Sequence, residues 1–378
     1  MHIITVIDAE TKNRIQTILS SDKGYESMDE FVGRAIINLI TLEESESTEA
    51  IATDRMSPGV MPQAKASGNA GDHKSRALAH PHLKEKVVKS TLGTALEMDR
   101  SLLTMPVDIP LSVKTPNLDA SSMARPLWGQ MNRFAPAKVT LRILGNILAR
   151  SKTDWADLKV VSASVCEQAP IIKETLQNRD KTDGRKRGEG FSAAFPIEQK
   201  PSLQRFASQY VGYLAKESGE PQGLLADLSF VNIRKSPEGT TEIGLTEPGI
   251  LFAKLPSPLI DTVLLLGKQA SFAVSLEEAK FLFAHLEKHR PGESEFLKYV
   301  ARRVGEGASN PTSLLTAVDD YFKQDRRGMT ITEAVLGTMR TGAVSKLVEL
   351  GMIAITKDGA RSIYQLTEYS KEILGGRQ

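Results

Sequence analysis

Residues 1–42 hold one strand-forming run and two helix-forming runs, and this set cannot close on itself. Met1 to Ile7 reads as one short strand and Asp8 to Ser20 as a short helix. After a break at Asp22-Lys23-Gly24, a second helix runs from Ser27 to Leu42. A lone strand leaves its N–H and C=O groups unpaired. Two short helices bury too little surface to offset the entropy of ordering them. A second copy of the chain solves both problems. Two strands then pair antiparallel across a two-fold axis, and four helices share one core. Asp8 caps the first helix, whose apolar stripe is Ile15, Ile18 and Leu19. Ser27 caps the second, with Glu30 three residues on as a capping box requires, and Phe31, Ala35, Ile36 and Leu39 line one face.

The run Gly24-Tyr25-Glu26-Ser27-Met28-Asp29-Glu30-Phe31-Val32-Gly33-Arg34-Ala35-Ile36 resembles the ribbon-helix-helix family of DNA-binding proteins. The resemblance implies that the paired strands enter the major groove and that the second helix meets a phosphate at its N-terminus. Carried onto this chain, the groove-facing residues are His2, Ile4 and Val6, and the phosphate lies at Ser27 and Met28. Lys12, Arg14, Lys23 and Arg34 stand against Asp8, Glu10, Asp22, Glu26, Asp29 and Glu30, a net charge of −2. Neutralising phosphate supplies most nonspecific DNA affinity. The unit is therefore expected first to dimerise, and DNA reading by its strand stays open beside the alternative of a plain amphipathic α-hairpin.

The whole chain of 378 residues has room for two or three domains, and its net charge of +2 decides nothing about partners. A single cysteine, Cys166, excludes an intrachain disulfide framework and fits a reducing compartment. With no leader pattern and no apolar run near the ~20 residues of a membrane helix, a cytoplasmic protein without membrane contact is expected. Residues 43–124 read as a linker, largely disordered, because Glu43, Glu44, Glu46 and Glu49 alternate with Ser and Thr before Gly- and Ser-rich sequence. A helix over Lys84–Met98 and an extended run from Met105 to Pro116 are the ordered candidates within it.

From Arg125 the chain repeats itself. Residues 228–233 read Leu-Ser-Phe-Val-Asn-Ile and lead through a polar turn to Leu-Thr-Glu at 245. Residues 350–355 read Leu-Gly-Met-Ile-Ala-Ile and lead to Leu-Thr-Glu at 366, 121 residues further on. Alternation and the turns Ser236-Pro237-Glu238-Gly239 and Lys357-Asp358-Gly359 make each a β-hairpin. A short amphipathic helix precedes each hairpin, and a Thr-capped helix follows at Thr246 and Thr367. This order resembles the winged-helix family. The expected architecture is mainly α with short β-hairpins: a ribbon-helix-helix dimerisation unit at 1–42, the linker, a winged-helix-like domain with an insert at 125–262, and a winged-helix domain at 270–378. Trp128 and Trp155 are expected as core anchors of the first of these.

In the C-terminal copy, Thr330 or Thr332 caps a helix carrying Ala334, Val335 and Met339. A turn at Thr341-Gly342 then leads into Ala343–Leu350. The resemblance implies base-edge contacts from Arg340, Thr341, Ser345 and Lys346, and phosphate contacts from Lys357 and Arg361 on the wing. The earlier copy offers Gln222 on a 221–227 helix, and Arg234 with Lys235 on its wing. The loop cluster Arg185, Lys186 and Arg187 suits backbone phosphate. Ordinary solvated surface is the competing reading for all of these cations.

Nothing in the sequence suggests catalysis or a cofactor. Gly267-Lys268 lacks the upstream glycine of a phosphate loop. His285 and His289 share a helix face but have no third ligand nearby, so they read as exposed histidines. Cys166 reads as a small buried residue. The expected function is sequence-specific binding of double-stranded DNA by a homodimeric transcription regulator joined through residues 1–42. A replication or partition protein of a mobile element is a close variant, and a non-enzymatic assembly factor binding protein partners is the competing class.

Overall fold

The computed structural model describes residues 97–116, 118–185, 190–324, 331–358 and 361–374. The ribbon-helix-helix reading of residues 1–42, the tether to residue 96, and Lys186 and Arg187 lie outside them. The described part is mainly helical with short antiparallel strand pairs. In chain order it runs α1 (Arg100–Leu103), α2 (Ala120–Met123), α3 (Ala135–Ser151), β1 (Ala156–Asp157), α4 (Leu158–Thr182), a 3-10 turn (Phe191–Ala194) and α5 (Lys200–Tyr210). Next come β2 (Tyr213–Leu214), β3 (Pro221–Gln222), α6 (Leu224–Asp227), β4 (Val231–Lys235), β5 (Thr241–Leu245), α7 (Glu247–Lys254) and a π-helix (Pro258–Leu264). The chain ends with α8 (Leu276–His289), α9 (Pro291–Gly305), α10 (Pro311–Gln324), α11 (Glu333–Glu349), β6 (Ile353–Asp358), β7 (Arg361–Leu366) and α12 (Glu368–Ile373). Local capping starts many of these helices where the sequence expects. Ser275 and Glu278 form a reciprocal capping box at α8, and Thr332 caps α11.

The repeat in the sequence is a repeat of hydrogen bonds. At the end of α6 the Phe230 N–H donates to Leu225 O (2.9 Å), and at the end of α11 the Met352 N–H donates to Leu347 O (2.8 Å). Between these anchors Ser229 (φ 56°) and Gly351 (φ 72°) take the left-handed conformation that closes a helix. Each hairpin then runs antiparallel, from Val231↔Leu245 to Lys235↔Thr241 and from Ile353↔Leu366 to Asp358↔Arg361. Each leaves through a threonine. The Thr246 hydroxyl donates to Ser229 O (2.7 Å) and accepts from Gly249 N (3.3 Å). The Thr367 hydroxyl donates to Gly351 O (2.6 Å) and accepts from Ser370 N (3.3 Å). A third segment joins each hairpin from between the two preceding long helices. Ala156 of β1 pairs with Ile243, giving the order β1-β5-β4, and Ser309 O accepts from the Tyr364 N–H (2.7 Å). Ile243 and Tyr364 stand at the same 121-residue offset as the Leu-Thr-Glu triplets.

Both repeats share one continuous hydrophobic core, and residues from 97 on form one compact unit. Charged side chains cross the seam inside that core. Lys138 of α3 pairs with Glu278 of α8 at 3.1 Å, the two side chains 2% and 1% exposed. The Lys138 ammonium also donates to Phe252 O and to Leu255 O (2.8 Å), the carbonyls that end α7. Arg142, fully buried, meets Asp261 and the carbonyls of Leu103, Ala253 and Leu255. Burial pushes Lys138 down to about 8, against the attraction of Glu278. Burial likewise pushes the Glu278 carboxyl up. Such groups persist in a core only because each has partners.

Several expectations are corrected. Residues 97–124 belong to the folded unit: Leu103 is fully buried, and the Val113 N–H donates to Leu245 O (2.8 Å). The boundary expected between 262 and 270 falls inside the shared core, where Ile260, Val263 and Ala273 sit. The turn expected at Thr341-Gly342 is absent, because α11 runs unbroken from Glu333 to Glu349. Gly342 instead lets the backbone of Gly129 approach, and a Cβ at either glycine would overlap the facing backbone. Trp128 is 38% exposed and anchors no core. Gln222 lies in β3, since the short helix begins only at Leu224.

Candidate nucleic-acid interface

In the C-terminal repeat, α11 turns Leu336, Met339, Ala343 and Leu347 into the core. Its outer side presents Ala334 and Thr341 exposed, with Thr338 and Ser345 half-buried. That side offers hydroxyls within reach of a ligand. Arg340 is half-buried, with its guanidinium donating to Pro311 O (3.0 Å) and to the Thr341 hydroxyl (3.4 Å). Lys346 requires a correction. Its side chain is 1% exposed and paired with Glu293, itself 0% exposed. The other Glu293 oxygen accepts from the Leu127 N–H at 2.7 Å. Helical phase places Lys346 toward α9, so it does not reach the surface. The β6–β7 hairpin is open to solvent at its tip: Lys357 donates to the Ser362 hydroxyl (2.9 Å), and Arg361 is exposed on β7 opposite Asp358.

In the earlier repeat α5 and the β4–β5 hairpin carry exposed cations, and Lys152, Lys159, Lys181, Lys216 and Lys254 are exposed elsewhere. Phe206 and Tyr210 hold α5 to the core, and Lys200, Gln204, Arg205 and Ser208 face solvent. The sequence reading assigned this face no role, because an inserted hairpin, β2–β3, separates α5 from the wing. The amphipathic spacing of those four polar residues against Phe206 and Tyr210 was the available signal. On the β4–β5 hairpin, Arg234 stacks 3.9 Å over the Trp155 ring and bonds Glu242 (3.0 Å), leaving 47% of its side chain exposed. Lys235 is exposed, with only a long bond to Gly239 O (3.4 Å). Gln222 accepts from the Tyr213 hydroxyl (2.6 Å) across the β2–β3 hairpin.

Arg185 is corrected from a backbone-phosphate contact to a structural cation. It pairs with Asp180 (3.2 Å) and Asp183 (2.9 Å), lies 3.9 Å over the Phe191 ring, and donates to Ala270 O. His285 is corrected from exposed to buried. Its Nε2 meets Leu228 O, and its ring centroid lies 4.4 Å from that of His289. Burial pushes His285 down to about 4, so it stays neutral near pH 7. No group of three His, Cys, Asp or Glu side chains suited to a metal occurs among the described residues. Cys166 is half-buried, its thiol pushed up by burial, which is the wrong direction for a nucleophile. No described helix is long and apolar enough to cross a membrane.

The structure thus leaves Lys235, Lys357, Arg361, Thr341 and the polar face of α5 open to solvent, each on its own element, and withdraws Lys346 and Arg185 into ion pairs. No protein-family model, curated protein or solved structure matches the chain.

Proposed function

We propose that this chain is a sequence-specific double-stranded DNA-binding protein, a transcription regulator that dimerises through residues 1–42 and presents two winged-helix modules per chain. The observation that carries this reading is the matched pair of hairpins. In both, a helix closes in a left-handed residue, an antiparallel hairpin follows, and a segment from between two helices bonds its second strand at Ile243 or Tyr364. A projecting ribbon beside a helix suits a duplex, where the helix enters the major groove and the ribbon meets backbone. The exposed cations Lys200, Arg205, Lys235, Lys357 and Arg361 provide the phosphate contacts, and Gln204, Ser208, Thr341 and Ser345 the short polar groups for base edges. The single cysteine fits action in the cytoplasm, and a replication or partition role would use the same surfaces.

One observation favours a protein-partner role instead. The outer side of α11 carries hydroxyls rather than cations, and Phe272 and Leu276 stand 58% and 46% exposed near α12. Selection from random duplexes with the full-length protein separates the two. DNA binding predicts an enriched motif whose recovery drops with Lys357→Ala plus Arg361→Ala. A pool that stays random refutes the proposal and leaves the assembly role.

A further inference from the structure

A chain that carries two copies of one module can hold them apart on a tether or fuse them, and the two choices select different DNA. Here the seam between the copies is built from groups that cannot part cheaply. The Lys138–Glu278 pair spans it from α3 to α8, inside the core. Glu349, on α11 of the second repeat, turns its carboxylate onto the start of α3 in the first, accepting from the N–H groups of Phe134 and Ala135 (3.1 Å to the latter). It thereby caps a helix of the other repeat. Burial pushes the Glu349 carboxyl up, opposed by Arg133 and by those two N–H donors. Beside it, Gly129 and Gly342 meet backbone to backbone. Separating the repeats would strand a buried carboxylate and a buried ammonium, and would leave the first turn of α3 uncapped.

We infer that the two repeats of one chain act as a rigid pair and recognise a single continuous duplex in two sub-sites of fixed spacing and fixed helical phase. The inference rests on the duplex-binding reading and adds to it the geometry of the target. A rigid pair cannot follow DNA that has been rotated or lengthened between its sub-sites. Five inserted base pairs turn the second sub-site by about half a turn. Ten restore its phase but displace it by roughly 34 Å. A flexible tether would tolerate the ten-pair insertion, because linked modules lose effective concentration only slowly with added span.

The test uses the full-length protein and a duplex obtained by selection. Hydroxyl-radical footprints of wild type, of Lys235→Ala, and of Lys357→Ala with Arg361→Ala assign each repeat its sub-site by the protection that disappears. These side chains are exposed, and unchanged thermal unfolding confirms that each variant is folded. Insertions of five and ten base pairs are then placed between the sub-sites. Both are expected to lower affinity by roughly 100-fold or more, to the level of one sub-site alone. Retention within about threefold after the ten-pair insertion overturns the rigid pair while leaving DNA binding intact. The same holds if the variants erase one and the same protection. Absence of any duplex binding removes the DNA reading, and this inference with it.

Discussion

Replacing Lys346 with methionine separates a structural role from a DNA-contacting one. Lys346→Met keeps the length of the side chain and removes its charge, which leaves the buried Glu293 carboxyl without its counter-charge and with the Leu127 N–H as its donor. Removing one partner of a buried pair costs about 3–5 kcal/mol, because the surviving charge has lost its counter-charge away from water. For a folded unit of this size each kcal/mol lowers Tm by about 2–4 °C, so the variant should melt roughly 6–20 °C below wild type. Glu293→Gln should also destabilise, by stranding the Lys346 ammonium. The double variant Lys346→Met/Glu293→Gln removes both charges while the amide oxygen still accepts from Leu127. It should recover all but about 1–2 kcal/mol, so the cycle yields a coupling of at least about 2 kcal/mol. Circular dichroism melts of the four proteins measure this. If Lys346→Met melts with wild type yet binds duplex more weakly, the side chain faces solvent and the packing described for α11 is wrong.

Glycine substitutions on the same helix should split in sign. Gly342→Ala drives a Cβ into the Gly129 backbone and should cost about 1–3 kcal/mol, whereas Gly337→Ala meets open space and should gain about 0.5–1 kcal/mol, both read by chemical denaturation. The repeat predicts that Ser229→Gly, at φ 56° where its counterpart is Gly351, stabilises by about 0.5–1 kcal/mol, while Gly351→Ser does the reverse. His285 makes stability depend on pH. The unfolded histidine takes up a proton below its ordinary 6.5, but the folded one only near 4, so stability should fall as pH drops through that window. The loss approaches roughly 3 kcal/mol, and His285→Asn should flatten that part of the profile.

What the sequence made legible was local. The two hairpins and the Thr246 and Thr367 caps depend on residues within a few positions and formed as expected, except that Lys357 and Asp358, expected in the second turn, extend β6. The repeat was legible because both copies need the same left-handed closure and the same threonine exit. Long-range partners were not legible. Gly342 resembled a turn because a local reading cannot see Gly129, more than two hundred residues away. Lys346 and Arg185 resembled DNA contacts because their carboxylate partners are visible only once the chain is folded. The unexpected core members were Lys138 and Arg142, whose burial depends on capping the far end of α7. Both hairpins formed, whereas the polar face of α5 carried no expected role, since the inserted β2–β3 hairpin separates that helix from β4 and β5.

The dependence of duplex affinity on salt, measured with the full-length chain on its selected site, tests the central claim most directly. The exposed cations Lys200, Arg205, Lys235, Lys357 and Arg361 of each chain predict log Kobs falling against log salt with a slope of about −4 or steeper. An affinity that ignores salt, or no duplex binding at about 50 mM salt, would contradict it.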